Sequence, residues 1–251
     1  MVILTPITIN NHFNNANYVT KVDHLCSERH TFNFLLKKVD FRDLIGSLLA
    51  ADATHVGKYK FPAITPQKLI PDVMPLPINY MMSDINISKN WYHCFVCDEQ
   101  FERYWNSFYK YVPYIRSAKG LISTDFSMYR DIPEETQIRN CYRNRVMTYA
   151  MQKINSNVIP TAGFGGENTW DWCFDGLPKH STYAITTNGG LSDPEARRLF
   201  IGGVDALVLT LDPYALVVCG NYPKWLNTKY PGVRIIPIHS YSQMWSARRC
   251  G

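Results

Sequence analysis

From about residue 76 onward, short apolar runs alternate with stretches whose apolar residues recur at helical spacing. L-P-I-N-Y-M-M (76–82), W-Y-H-C-F-V (91–96), G-L-I-S-T-D (120–125), N-V-I-P-T-A (157–162), T-Y-A-I-T-T (182–187), A-L-V-V-C-G (215–220) and V-R-I-I-P-I (233–238) read as strands. D-E-Q-F-E-R-Y-W-N-S-F (98–108) reads as a helix. A longer helix is predicted from D-I-P-E to about Lys153. Asp131 is its expected N-cap, Pro133 sits in the first turn where a missing N–H costs little, and Glu134 takes the third helical position. S-D-P-E (192–195) is a second cap with proline, and Gly202-Gly203 is expected to interrupt the helix it opens.

Strands followed by helices at this spacing imply parallel βαβ units. The fold class expected is α/β, with a predominantly parallel sheet of about six to seven strands, either open and doubly wound or an incomplete TIM-like barrel. Upstream, Phe34, Leu35, Val39, Leu44, Ile45, Leu48 and Leu49 mark one helix within 31–51, and residues 1–20 are asparagine-rich. Five prolines between 57 and 78 predict an extended connector. The organisation expected is an N-terminal extension, 1–56, and a single α/β domain, 57–251.

Composition narrows the class. Hydrophobic residues at 46% and charged residues at 19% describe a globular chain rather than a disordered one. A formal charge of +5 permits an anionic partner without demanding one. Seven cysteines are too sparse in 251 residues for a disulfide scaffold. M-V-I-L-T-P-I-T-I-N-N has no basic n-region, and the apolar run 204–220 is broken by Asp205, Asp212 and Pro213, so neither a signal peptide nor a membrane span is expected. The expected setting is the cytoplasm, with reduced thiols and no membrane partner.

In parallel α/β sheets ligands bind beyond the carboxyl ends of the strands. The polar groups there are Asp98 and Glu99, Asp125 and Ser127, Thr161, Glu167, Asp171 and Asp175, Thr187 and Asn188, Asn221, and His239 and Ser240. Several carboxylates on one rim suit acid–base work or a divalent ion. Two readings compete for each: Asp98, Asp131 and Asp193 also suit helix caps, and Asp125 and Asp175 also suit turns. T-A-G-F-G-G-E-N (161–168) follows a strand, as a phosphate loop does, but Asn168 stands where a third glycine belongs and no G-K-[ST] comes after it. Asn168 is expected to cap a short helix, Thr169–Phe174, and Trp170 or Trp172 is either a lid or part of a buried patch. R-N-C-Y-R-N-R (139–145) carries three arginines and no acid: an anion contact, or cations paired with nearby acids. H-C-F-V-C (93–97), completed by Cys26 and His30, is a zinc candidate, but in a strand Cys94 and Cys97 point to opposite faces. No metal site is expected, and no cofactor is identified.

F-V-C-D-E-Q-F-E-R-Y-W-N (95–106), S-T-D-F-S-M-Y-R-D-I-P (123–133), Q-I-R-N-C-Y-R-N-R (137–145), N-V-I-P-T (157–161) and C-F-D-G-L-P (173–178) occur in this order. Order and spacing resemble the domain-of-unknown-function family 4417 of bacteria, phages and plasmids, over about residues 58–222. That resemblance implies a mobile-element setting, and the host cytoplasm if the gene is phage-borne, but no settled chemistry. In the family pattern a tryptophan-containing stretch follows the I-P-T strand, whereas this chain has A-G-F-G-G.

The function expected is an accessory protein with a rim site for a phosphate-bearing ligand, a nucleotide or nucleic acid. Asp125 and Glu167 are its acidic groups; Ser127, Arg143, Thr161, Trp170 and Asn188 contact the ligand. The alternative is a non-catalytic protein that engages a host factor.

Overall fold

Strand follows strand in space in the order of the sequence. In the computed structural model, which describes Gly46 and residues 48–244, an antiparallel pair, β1 (His55–Val56) and β2 (Phe61–Pro62), precedes two parallel sheets. The first has the order β3 (Leu76–Pro77), β4 (Trp91–His93), β5 (Gly120–Ile122) and β6 (Val158–Ile159). The second has the order β7 (Thr182–Thr186), β8 (Ala215–Cys219) and β9 (Arg234–Ile238). A parallel bridge between Thr161 and Ala184 joins them. There the Ala184 N–H donates to the Pro160 carbonyl at 2.9 Å, and the Ala162 N–H to the Ala184 carbonyl at 3.0 Å. The described residues belong to one unit, Ile45–Gly251. The chain is therefore a mixed α/β protein with parallel sheets of four and three strands.

Between β4 and β9 the α-helices are α1 (Asp98–Asn106), α2 (Phe108–Ser117), α3 (Glu134–Gln152), α4 (Pro194–Leu211) and α5 (Trp225–Lys229). Strand alternation decides what each packs on. Tyr92, Leu121 and Val158 share a core with Phe101, Trp105, Ile115, Val146 and Met151 of α1, α2 and α3. Tyr183, Ile185, Leu216 and Val218 share another with Phe200, Val204 and Leu207 of α4 and Leu226 of α5. The residues between them, Trp91, Ile122, Ile159, Ala184, Val217, Cys219 and Ile238, pack together on the opposite face. Both faces are thus buried, which explains why the strands read as continuous apolar runs.

Several local expectations give way. L-P-I-N-Y-M-M is a strand only at Leu76–Pro77; Ile78–Ser83 coils into a 3-10 helix that buries Ile78 and Met81. The helix after β4 does not end at 108: it breaks at Ser107, and α2 continues to Ser117 with Pro113 inside it. Asp131 does not cap α3. Pro133 holds that position with no side-chain bond, and its carbonyl accepts the N–H groups of Thr136 and Gln137. Asp193 caps α4 as expected, accepting the Ala196 N–H at 2.8 Å. Gly202-Gly203, by contrast, does not interrupt α4, which runs unbroken to Leu211. Of the helix expected over 31–51, all but Gly46 and residues 48–51 lies outside the described residues. Among the described residues no helix is long and apolar enough to cross a membrane.

Candidate functional site

Beyond β5 the chain must turn, and the polar residues of two helices hold the turn. Asn144 of α3 brackets Phe126, accepting its N–H at 2.8 Å and donating to its carbonyl at 3.1 Å. Asn140, one turn earlier, donates to the Ser127 carbonyl at 2.8 Å. Asp98, the first residue of α1, accepts from the Ser127 N–H at 3.0 Å and its hydroxyl at 2.9 Å. Thr161 fixes the other side by donating to the Thr124 carbonyl at 2.6 Å. Asp125 lies between these pinned neighbours, so its backbone is positioned without help from its own side chain.

The loops after β5, β6 and β7 and the start of α4 enclose a cleft of about 360 Å³. Asp125, Ser127, Gly163, Asn188, Asp193 and Phe200 are among its walls. The Asp125 carboxylate opens to the cleft but is otherwise enclosed, and no described group donates a hydrogen bond to it. Burial pushes its carboxyl up to about 7, the Asp98 carboxylate adds to the rise, and the charge of Arg145 opposes it. Asp98 is also raised by burial, but less freely, because the Ser127 N–H and hydroxyl stabilise its charged form. The result is two neighbouring carboxylates of unlike proton affinity, an arrangement that suits proton transfer near neutral pH.

The loop G-F-G-G-E-N is a packed corner. The Gly165 N–H donates to the Thr169 hydroxyl at 3.1 Å, and that hydroxyl donates to the Gly166 carbonyl at 2.8 Å. The expected helix capped by Asn168 is instead a 3-10 turn, Glu167–Thr169, with Gly166 in the cap position. Phe164 rests on Gly203 and Trp170 on Gly202, each so close that a Cβ would have no room. This contact is the reason for the two glycines inside α4: they admit aromatic rings and do not break the helix.

Of the residues singled out from the sequence, Asp125, Ser127 and Asn188 line the cleft. Thr161 is buried and spends its hydroxyl on Thr124. Glu167 is exposed and ion-paired with Arg198 of α4. Trp170 packs on α4 and is not among the cleft walls. Arg143 is buried, with its guanidinium 3.5 Å from the Phe126 ring centroid and 5.0 Å from that of Trp105, and it pairs with Glu102. The structure brings neither Arg143 nor Glu167 to the cleft.

Other residues escaped notice or took another role. Asp98, read as a strand-end acid that also suits a cap, is the electrostatic neighbour of Asp125. Arg145 is fully buried and donates to the carbonyls of Asp175 (2.9 Å), Thr161 (3.5 Å) and Cys173. Asn140 and Asn144, at i and i+4 on α3, carried the one available signal: two amides on a buried helix face need buried partners. His93 is buried, its Nδ1 accepts the Phe95 N–H at 3.2 Å, and desolvation lowers its pKa to about 3. Cys94 is buried and Cys97 exposed; Cys26 and His30 lie outside the described residues. Among the described residues no three His, Cys, Asp or Glu side chains converge as metal ligands.

Comparison with known proteins places the chain in a family. Residues 53–241 match the family model described as domain of unknown function (DUF4417), and the chain belongs to that family. Two curated relatives are 31% identical over 157 residues: the Gene 1 protein of Mycobacterium phage D29 and the Gene 1 protein of Mycobacterium phage L5. The match covers 62% of this chain, 56% of the D29 protein and 66% of the L5 protein. This chain thus spans between half and two thirds of the length of the curated relatives it matches. No solved structure matches.

Proposed function

We propose that this phage-family protein binds a small molecule in the cleft beyond its strand ends and that Asp125 gives and takes a proton there. One observation carries the reading: Asp125 sits in the cleft wall on a turn held by Asp98, Asn140, Asn144 and Thr161, with its carboxyl raised to about 7. A carboxyl poised near the working pH is the form in which an acid–base group is most effective. Structural ion networks also perturb carboxylates, but Asp125 has no hydrogen-bonded partner among the described residues that would explain its place structurally.

The same reading extends to the architecture: the two sheets form one curved layer, an incomplete barrel with the cleft at its carboxyl end. In support, the strands run in sequential order across the Thr161–Ala184 bridge. Their second face is buried against itself without a covering helix, and a flat sheet would leave that face in water. The His239 N–H beyond β9 also meets the Met74 sulfur before β3 at 3.4 Å.

The phosphate-bearing ligand suggested by the sequence has less in its favour. Arg143 is spent on Phe126, Trp105 and Glu102, and the amide of Gly165 is bonded within its own loop.

Native mass spectrometry of the intact chain, isolated from the cells that produce it, tests the proposal. A small mass retained by wild type and lost in Asp125→Asn is the expected result. A host protein retained instead, equally by both, supports the partner-binding alternative and ends the small-ligand reading.

A further inference from the structure

We infer that the cleft takes a ligand that is rich in hydrogen-bond donors and carries no phosphate, an amine or polyhydroxyl compound. The inference rests on the reading of the cleft as a small-ligand site and concerns what its walls offer. Three of their hydroxyl groups are already committed. The Ser127 hydroxyl donates to Asp98 at 2.9 Å, and the Ser192 hydroxyl to the Gly189 carbonyl at 2.8 Å. Thr186 accepts the Asn188 N–H at 3.1 Å and turns its own hydrogen toward the Cys219 carbonyl at 3.5 Å.

Two backbone amides of the glycine-rich loops are spent as well. The Gly190 N–H donates to the Thr187 carbonyl at 3.2 Å and the Gly165 N–H to Thr169 at 3.1 Å. A phosphate cradle needs several amides aimed outward at one point, and these two are aimed inward. The start of α4 is no substitute, because the Asp193 carboxylate already occupies it. Arg130, the sole arginine or lysine among the cleft walls, reaches the other oxygen of that carboxylate at 3.4 Å.

Acceptors are what is left. Asp125 carries no hydrogen bond among the described residues, and Asp131 stands exposed at the cleft wall. With Asp193 that makes three carboxylates against one arginine. An acceptor-only dianion meets the charges of Asp131 and Asp193, with one arginine already paired to offset them, whereas an ammonium or hydroxyl group forms charge-assisted bonds. Phe126, Phe164 and Phe200 add apolar wall to a volume, about 360 Å³, that suits a compact ring compound.

The test is a 1H–15N NMR titration of the intact chain, following the amides of Gly163, Asn188 and Gly189. The probes are two matched pairs: adenosine with adenosine monophosphate, and glucosamine with glucosamine phosphate. The expected result is that an unphosphorylated member shifts the cleft amides, that its phosphate ester binds at least about tenfold more weakly, and that Asp125→Asn weakens the unphosphorylated member. Phosphate esters that bind as well or better overturn the inference while leaving the cleft a ligand site. If none of the four shifts the cleft amides, the small-ligand reading falls and takes the inference with it.

Discussion

The charge of Asp98 acts on Asp125. It adds to burial in raising the Asp125 carboxyl from 3.8 to about 7, while Arg145 opposes the rise. Asp98 is itself raised by burial, but the two hydrogen bonds it accepts from Ser127 hold that rise back. Two acids that begin alike are thereby made unlike, through burial and a single asymmetric set of donors.

This relationship predicts a pH dependence of stability. Between about 4 and about 7 the folded protein holds a proton on Asp125 that the unfolded chain has released. The contribution is therefore present at low pH and is lost as pH rises toward 7. Melting temperatures measured across that window should fall with rising pH in wild type more than in Asp125→Asn, after the common effect of other carboxylates is subtracted. Parallel curves for the two proteins would remove the raised carboxyl.

A second prediction concerns the aromatic rings seated on α4. Gly203→Ala places a methyl where Phe164 lies. Alanine favours a helix over glycine by roughly 1 kcal/mol, but overpacking costs roughly 1–3 kcal/mol, so the net effect should be a loss. Because Phe164 also lines the cleft, the NMR signals of Gly163 and Asn188 should move. Gly232→Ala is the control, since nothing lies within 4 Å of its added Cβ. Equal stability of the two variants would show that the rings yield freely.

Arg143 supplies the third. Its guanidinium lies 3.5 Å from the Phe126 centroid and pairs with Glu102. Arg143→Ala should therefore cost about 1–3 kcal/mol in chemical denaturation, from lost cation–π packing and an abandoned Glu102. Affinity for any cleft ligand should change little. An unchanged midpoint together with lost binding would restore Arg143 to the site.

Legibility varied along the chain for physical reasons. The strand-end argument reached Asp125, Ser127 and Asn188 because parallel strands in sequential order put their ends on one side, and the residue after a strand needs no further information to be placed there. It did not place Glu167, because the intervening loop folds onto α4 and turns that side chain toward Arg198. Pro133 took the cap position expected of Asp131, which lies in the preceding turn, where the Ile132 N–H meets the Tyr129 carbonyl at 3.4 Å. The Gly202-Gly203 pair reads as a break from helix propensity alone; only the packing of Phe164 and Trp170 reveals why glycine is there.

Arginines 143 and 145 mark the boundary between what each source decides. From the sequence by itself come the alternation of strand and helix, the parallel sheets, the family, and the presence of three arginines on one helix. Which partner each arginine meets is decided only by the tertiary structure. Two residues apart on a helix means nearly opposite directions, so Arg143 meets rings and a carboxylate while Arg145 meets three carbonyls. Periodicity carries the angle between two side chains, but the neighbours waiting at each end of that angle come from residues far along the chain. A contact between distant residues forms when the backbone closes around it, and no local pattern encodes it.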